Sequence, residues 1–398
     1  MDFEVAVVGA GPAGSTTALA CRRWGIGSVA LIDKAIFPRD KSCGDGLGPG
    51  VVRVMESLDL GEALVGRMPI EALAVSSPSG LVVSGPLPLV GGKVPIGYVI
   101  RRYEFDDLLF RAAVRAGAHD LTGCEFKNAT YDVAAKVWTL TLARDQDPIT
   151  IKAKYLVGAD GPRSKVRRIL GQPFNDDEHT GTAVRMYCRT SDLFKKELRL
   201  DFMRSLLPAY GWVFPIDERT ANIGVGIDVS RYQERRRHLN ALLAEYLGLQ
   251  PTVESDEDTR LAFILPYGSQ LPRLSFPDQQ AALVGDAGSM VNPLTGEGIF
   301  YGMWAGSEVA KHLFRALQTN SASHLDRYET LFRSKFEDHY KTNQIMKRRV
   351  AHPVWCDFVL SACASDKRIL GELIDLMMGD RKHLSFALLG KIALSGRL

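Results

Sequence analysis

Near the N-terminus, "EVAVVGAGPAGSTTALACRRWGIGSVALIDK" restricts the fold more than any other part of the chain. Val5, Val7 and Val8 form a short β-branched run, Gly9-x-Gly11-x-x-Gly14 follows, and a small-residue stretch from Ser15 to Cys21 reads as a helix. A second apolar strand then ends at Asp33, nineteen residues past Gly14. The glycine pattern alone is common. Placed between a strand and a helix, with an acidic residue closing the next strand, it specifies a dinucleotide-binding βαβ unit. Gly9 permits the tight turn, Gly11 lets the backbone approach a pyrophosphate, and Gly14 lets helix and strand pack closely. The helix start offers free N–H groups to the phosphates, and the Asp33 carboxylate can accept ribose hydroxyls. This motif leaves open whether the nucleotide is NAD or FAD.

Two later stretches repeat the strand-then-aspartate theme. "AKYLVGADGPRSKVRRIL" ends an apolar strand in Gly158-Ala159-Asp160-Gly161, and "QAALVGDAGSMVNPLTGEGIF" ends another in Gly285-Asp286 before a Pro/Gly loop and a small-residue helix. A carboxylate just past a buried strand is costly without a partner. Capping of the following helix accounts for either aspartate alone, but the pair downstream of the glycine motif fits that account poorly.

Together the three stretches resemble the FAD-binding set of the p-hydroxybenzoate-hydroxylase-like flavoproteins, over roughly residues 1–310. The resemblance implies an α/β fold: a Rossmann-type FAD-binding domain with an inserted antiparallel-sheet substrate domain and C-terminal helices. It implies FAD contacts from Asp160 of the "DG" motif, from Gly285 and Asp286 of the "GD" motif, and from Arg102 in "VIRRYEFDDLL", four residues before Asp106. The loop carrying Pro293, Gly296 and Gly298 would bring backbone N–H groups and a helix start to the pyrimidine edge of the flavin. A helix dipole there stabilises negative charge on a reduced ring.

The polar loop "FPRDKSCGDGLGPG", Phe37 to Gly50, can be neither strand nor helix, because its two prolines and four glycines break both. This loop resembles the geranylgeranyl-reductase family pattern P-R-x-K-x-C-G-[DEG]-G, and "LPAYGWVFP" resembles that family's P-x-Y-x-W-x-F-P stretch. By that resemblance the loop lies over FAD, with Arg39 and Lys41 near the phosphates or flavin edge and Cys43 and Gly44 near the isoalloxazine. Two readings of Cys43 stand level: a thiol of lowered pKa acting as proton donor or redox group, or a small residue fitting against the ring. "AYGWVFPIDERTANIGVGID" reads as two antiparallel strands around a turn at Asp217 to Thr220, with Val213, Ile223, Val225 and Ile227 alternating. Tyr210, Trp212 and Phe214 are candidate substrate-pocket residues. At least one of the three is better explained as core.

The expected organisation is a discontinuous FAD domain (1–70, 98–170 and 275–320), a substrate domain (71–97 and 175–274) and helices over 321–398. The tail "LSFALLGKIALSG" is apolar with one lysine and is expected to pack on the protein, though a cavity cover or membrane contact is an alternative. A net charge of +3 (49 Lys+Arg against 46 Asp+Glu) gives no nucleic-acid field, and the basic run Arg235-Arg236-Arg237-His238 reads as a solvated helix face. Six cysteines without a CxxC pair argue against a disulfide framework or zinc site, with Cys356 and Cys363 expected buried on a helix. No apolar run approaches a membrane span, and Asp2 and Glu4 stand where a signal peptide needs positive charge. A cytoplasmic protein is expected, with peripheral membrane contact left open.

Without a second glycine motif, NAD(P)H must visit transiently or a separate reductase must supply electrons. Two fates of reduced FAD follow. One is hydride delivery to a C=C bond of a prenyl or other apolar small molecule, with Cys43 or Tyr210 as candidate proton donors. The other is oxygen activation for hydroxylation, as in tailoring monooxygenases of natural-product pathways. The loop and the aromatic stretch favour the reductase. A flavin halogenase is a poorer match, because Tyr210 occupies the first Trp position of its W-x-W-x-I-P stretch and its lysine has only Lys93 as a weak counterpart. A FAD-bound binding or scaffold protein is the non-enzymatic alternative. Oligomeric state is not readable.

Overall fold

The computed structural model describes residues 2–87, 97–145, 147–190, 196–235, 238–250 and 253–377. Lys93, Arg236, Arg237 and the apolar tail 384–396 lie outside the described residues.

The first sheet is built on the N-terminal strand Asp2–Val8, which pairs in parallel with Val29–Asp33 on one side and Asp147–Gly158 on the other. His119–Thr122 and Ala281–Leu283 extend the parallel sheet outward, and Ser275–Phe276 closes one edge antiparallel. Successive side chains of a strand face opposite ways, and here both faces are covered. Val5 and Val7 join one core with helices Pro12–Trp24, Arg102–Arg115 and Ile299–Thr319. Ala6 and Val8 join another beneath the hairpin Glu125–Asp132/Val137–Arg144, whose Trp138, Leu140 and Leu142 are buried. This explains why these strands read as continuous apolar runs rather than as alternation.

Helices Pro12–Trp24 and Ile299–Thr319 approach through small residues. A Cβ on Gly306 would lie 2.6 Å from the Ala13 carbonyl oxygen, so nothing larger fits there.

The second sheet has seven strands in the order Val253–Pro266, Thr180–Thr190, Thr220–Asp228, Gly211–Pro215, Glu197–Asp201, Ala72–Ser76 and Val82–Pro86. It is antiparallel except where Glu197–Asp201 runs parallel to Ala72–Ser76, a join between two separate stretches of chain rather than a hairpin. Val213, Ile223, Val225 and Ile227 share one buried face with Leu242, Leu243 and Tyr246 of helix Leu239–Leu247. The other face presents Leu73, Leu200, Trp212, Phe263 and Leu265 to the interior between the sheets.

The C-terminal helices serve both sheets. Phe332, Phe336 and Tyr340 of His324–Val350 pack with Tyr301 and Trp304 beside the first. Helices Pro353–Ser365 and Lys367–Met377 cover the second, where Leu370 sits over Gly85, and Cys356 and Cys363 are buried there. Among the described residues no helix is long and apolar enough to cross a membrane.

Candidate active site

The glycine-rich turn is shaped by steric exclusion at two of its three glycines. Gly9 has φ +104, and a Cβ there would lie 2.2 Å from the Ala159 carbonyl oxygen; a Cβ on Gly14 would lie 1.8 Å from the Gly9 carbonyl oxygen. Gly11 differs. The nearest atoms to a Cβ there are side-chain nitrogens, Arg39 Nη2 at 3.6 Å and Arg102 Nη2 at 4.0 Å. Two guanidinium groups thus face the point where a pyrophosphate would meet the helix start, whose cap residue Gly11 contributes no side-chain bond. Asp33 braces the turn, with Oδ2 accepting from the Ala10 amide at 2.8 Å and Oδ1 from the Ala35 amide at 2.9 Å.

Arg102 is buried at the edge of the cavity, while the neighbouring Arg101 stacks on the Tyr187 ring at 4.6 Å. Burial alone would pull the Arg102 guanidinium down, but the charge and hydrogen bonds of Asp106 hold it above its ordinary value. Asp106 accepts from Arg102 Nη2 at 2.7 Å and from Arg39 Nη1 at 2.6 Å. One carboxylate between two guanidinium groups leaves a net positive charge for an anion.

Asp160 and Asp286 have different surroundings. Asp160 accepts from the Ser164 hydroxyl and from the amides of Lys165 at 2.7 Å and Val166 at 3.2 Å, and so caps helix Lys165–Ile169. Gly161 and Pro162, beside it, reach the cavity. Asp286 sits in the turn Gly285–Gly288, lines the cavity and pairs with Lys41 Nζ at 3.7 Å. Gly285 has φ +63 there.

The loop from Pro293 to Gly298 leads into helix Ile299–Thr319, capped by Gly298 without a side-chain bond. Asn292 organises this loop: its Oδ1 accepts from the amides of Leu294 at 2.9 Å and Thr295 at 3.1 Å, and its carbonyl accepts from the Gly296 amide. Behind it, His339 Nε2 lies 3.0 Å from Asn292 Nδ2 and 2.8 Å from the Tyr301 hydroxyl, all buried. Asn292 Nδ2 can only donate, so this imidazole nitrogen accepts.

The opening loop is tied to the second sheet. Asp40 receives Arg185 Nη2 at 2.7 and 2.9 Å, Ser42 donates to the Leu261 carbonyl, and Asn222 Nδ2 donates to the Cys43 carbonyl at 2.7 Å. The loop is not as wholly irregular as its composition suggests: Gly46–Leu47 pairs with Tyr98–Val99, and Pro49 and Gly50 open helix Pro49–Ser57, where proline is tolerated because the first N–H groups of a helix have no partner within it. Phe214 lies against Gly44 and Gly46, where a Cβ would meet its ring at 3.1 and 3.3 Å. Trp212 donates its indole N–H to Asn222 Oδ1 at 2.9 Å, and Tyr210 donates to the Thr295 carbonyl.

The thiol of lowered pKa considered for Cys43 is not what the surroundings produce. Cys43 keeps some surface on the cavity, yet burial raises its thiol, and Arg102 offsets this only in part. Burial likewise raises the Tyr210 phenol.

One cavity of about 240 Å³ joins these parts, running from Gly11 and Arg102 past Cys43 to an apolar wall that includes Leu73, Leu200, Trp212, Phe214 and Phe263. Lys347, from helix His324–Val350, also lines it, ion-paired with Asp228 and 3.7 Å from the Tyr267 ring centroid; burial lowers its ammonium to about 8. The sequence assigns no role to Asn292, His339, Lys347 or Asn222, and shows Asp45 as one charge of the opening loop without a role of its own. Only Asp45 and Asn292 carried a usable local signal, as they fall within the motif loops.

The residues suit a dinucleotide with a redox ring. Glycine backbone and paired guanidinium groups lie at one end, and a half-buried aspartate and an open helix start lie further along. An apolar chamber follows, and together these define a flavin-dependent oxidoreductase. The FAD binding domain family matches residues 2–338. Menaquinone reductase of Mycolicibacterium smegmatis is 32% identical over 358 residues, covering 87% of this chain and 83% of that protein. Digeranylgeranylglycerophospholipid reductase of Thermoplasma acidophilum is 25% identical over 357 residues, covering 88% of each. A solved geranylgeranyl bacteriochlorophyll reductase-like structure from Thermoplasma acidophilum superposes with a TM-score of 0.80 at 22% identity, over 98% of this chain and 96% of that one, a likeness of fold. The chain belongs to the FAD-binding domain family and is a geranylgeranyl-reductase-like, FAD-dependent enzyme.

Proposed function

We propose that this enzyme reduces C=C bonds in the prenyl chain of an apolar substrate, with a prenylated quinone as the favoured class. The observation that carries this reading is the continuity of the cavity, from the Gly11–Arg102 end to the wall of Leu200, Trp212, Phe214 and Phe263. An apolar chain can enter such a chamber with loss of water from both surfaces, and this burial supplies the binding energy. The quinone is favoured because the relative named menaquinone reductase is more similar than the relative named for a glycerophospholipid.

Bound FAD supplies a hydride when reduced. The protein's part is to hold it and exclude water. Gly9, Gly11 and Gly14 with Arg39 and Arg102 would seat the pyrophosphate, and Asp33 the ribose. Lys41 and Asp286 would meet the ribityl-to-pyrophosphate region, with Gly161 rather than the helix-capping carboxylate of Asp160 facing the cofactor. Pro293, Gly296 and Gly298 would present backbone N–H groups to the ring edge, opposite Cys43 and Gly44. Trp212 and Phe214 would shape the substrate wall, and Tyr210 would fix the 293–298 loop through Thr295. Electrons would come from NAD(P)H visiting transiently or from a separate reductase.

The test is a single turnover. Enzyme reconstituted with FAD and reduced without oxygen is mixed with a naphthoquinone bearing a geranylgeranyl chain, and the lipid is weighed by mass spectrometry. Gain of two hydrogens in the chain per reduced flavin is expected. An unchanged chain, with one oxygen atom gained when the mixing is repeated in aerated buffer, would make the enzyme a hydroxylase instead.

A further inference from the structure

Reducing an alkene needs a proton as well as a hydride, and the two residues suggested by the sequence hold theirs firmly. The Tyr210 hydroxyl hydrogen is committed to the Thr295 carbonyl, and burial raises both that phenol and the Cys43 thiol. One more ionisable group of the opening loop lines the cavity. Asp45 has no solvent-exposed surface. Its Oδ2 accepts from the Tyr187 hydroxyl at 2.8 Å and from Asn222 Nδ2 at 2.8 Å. Its Oδ1 is buried without a hydrogen-bond partner among the described residues. The backbone is fixed at φ 63, with the Asp45 carbonyl accepting from the Ile100 amide at 3.0 Å, so the carboxyl cannot swing away without losing both bonds to Oδ2. An unpaired buried oxygen of this kind is costly in a purely structural role, and protonation of Oδ1 turns it into a donor.

We propose that Asp45 is the general acid of the reaction, with Oδ1 delivering its proton to one carbon of the substrate C=C bond; this rests on the reductase reading above. The π bond breaks, the Oδ1 proton forms a C–H bond at one carbon, and the hydride supplied by reduced FAD forms the other. The substrate gains the two electrons that the cofactor loses, and Asp45 is left as a carboxylate that regains its proton from water entering the cavity once the product has left it. Tyr187 and Asn222 hold that carboxylate, Arg185 and Arg102 face it with positive charge, and Cys43 is the other titratable neighbour. Burial lifts the carboxyl to about 6 despite these partners. That is close to the working pH at which acid catalysis is most effective, and far below the raised thiol and phenol.

Asp45→Asn is the informative variant, because asparagine tolerates the left-handed backbone and keeps an acceptor for Tyr187 and Asn222. Holoenzyme of both forms is reduced with dithionite and mixed with the geranylgeranyl naphthoquinone. The variant is expected to keep FAD and to be reduced as wild type, while chain reduction slows by about 100-fold or more. Wild-type rates in the variant would overturn the proposal. No chain reduction by wild type would overturn the reductase reading itself. A second measurement does not depend on turnover: infrared difference spectra of the holoenzyme between about pH 5 and about pH 8. A carboxylic-acid C=O band lost on raising the pH in wild type, and missing from Asp45→Asn, is expected. Identical spectra for the two proteins would overturn the proposal even if the variant were inactive.

Discussion

The two ends of the cavity are built by different means. At the nucleotide end, geometry is set by main chain pressed against main chain: Gly9 against Ala159, and Gly14 against Gly9. Charge enters through the Arg39–Asp106–Arg102 cluster, the Lys41–Asp286 pair and the Asp33 carboxylate that braces the turn. At the reaction end, geometry is set by side chains reaching across the fold. Trp212 holds Asn222, and Asn222 and Tyr187 hold Asp45, across separations of 10, 177 and 142 residues. The first kind of construction leaves little freedom in residue type. The second depends on pairings that substrate choice can reshape, which is how one fold can host several chemistries.

The sharpest way to break this contrast is Gly11→Val. Among the described residues, only the side-chain nitrogens of Arg39 and Arg102 come within 4 Å of a Cβ at Gly11 beyond its chain neighbours, so the fold should survive, but the branched side chain would occupy the pyrophosphate position. Loss of FAD affinity of about 1,000-fold, or ~4 kcal/mol, is expected, measured by flavin content and titration against an unchanged circular dichroism spectrum. A variant that purifies yellow would contradict the assignment of that end. Arg102→Met should come next. Removing one partner of a buried ion pair costs about 3–5 kcal/mol of stability. Chemical denaturation should show this, with weaker FAD retention alongside.

At the reaction end the effects should be smaller and should spare the cofactor. The folded protein holds the Asp45 proton more tightly than the unfolded chain does, at about 6 against an ordinary 3.8. Folded molecules therefore bind the extra proton between these values, and stability falls as pH rises through that window before levelling off. At about 1.4 kcal/mol per pH unit the fall amounts to ~3 kcal/mol. Asp45→Asn should lack it, so the variant should melt above wild type at pH 8 and by a smaller margin at about pH 4. Tyr210→Phe should do least. Loss of the bond to the Thr295 carbonyl costs about 1 kcal/mol, seen as a modest fall in melting temperature with FAD still bound.

The nucleotide end was legible in the sequence because steric exclusion forces glycine and a strand–turn–helix order forces the spacing. Both requirements are local. The reaction end was legible only as a loop of unusual composition beside an aromatic strand. That Asp40 meets Arg185, or that Asp45 meets Tyr187, depends on how the second sheet folds back on the first. Asp160 shows the converse limit. Its motif suggests a cofactor ligand, yet its carboxylate caps a helix through Ser164, Lys165 and Val166. Arg101 and Arg102 are indistinguishable by type, and only burial separates the one stacked on Tyr187 from the one facing Gly11.

The central claim is that one cavity seats FAD at the glycine end and turns its reactive ring toward the apolar wall. A crystal structure of the enzyme with FAD bound tests this most directly. The pyrophosphate is expected on Gly11 between Arg39 and Arg102, and the isoalloxazine between Cys43–Asp45 and the 293–298 loop, with one face open to Trp212 and Phe214. An isoalloxazine swung out of that gap, with the aromatic wall closed to it, would contradict that claim.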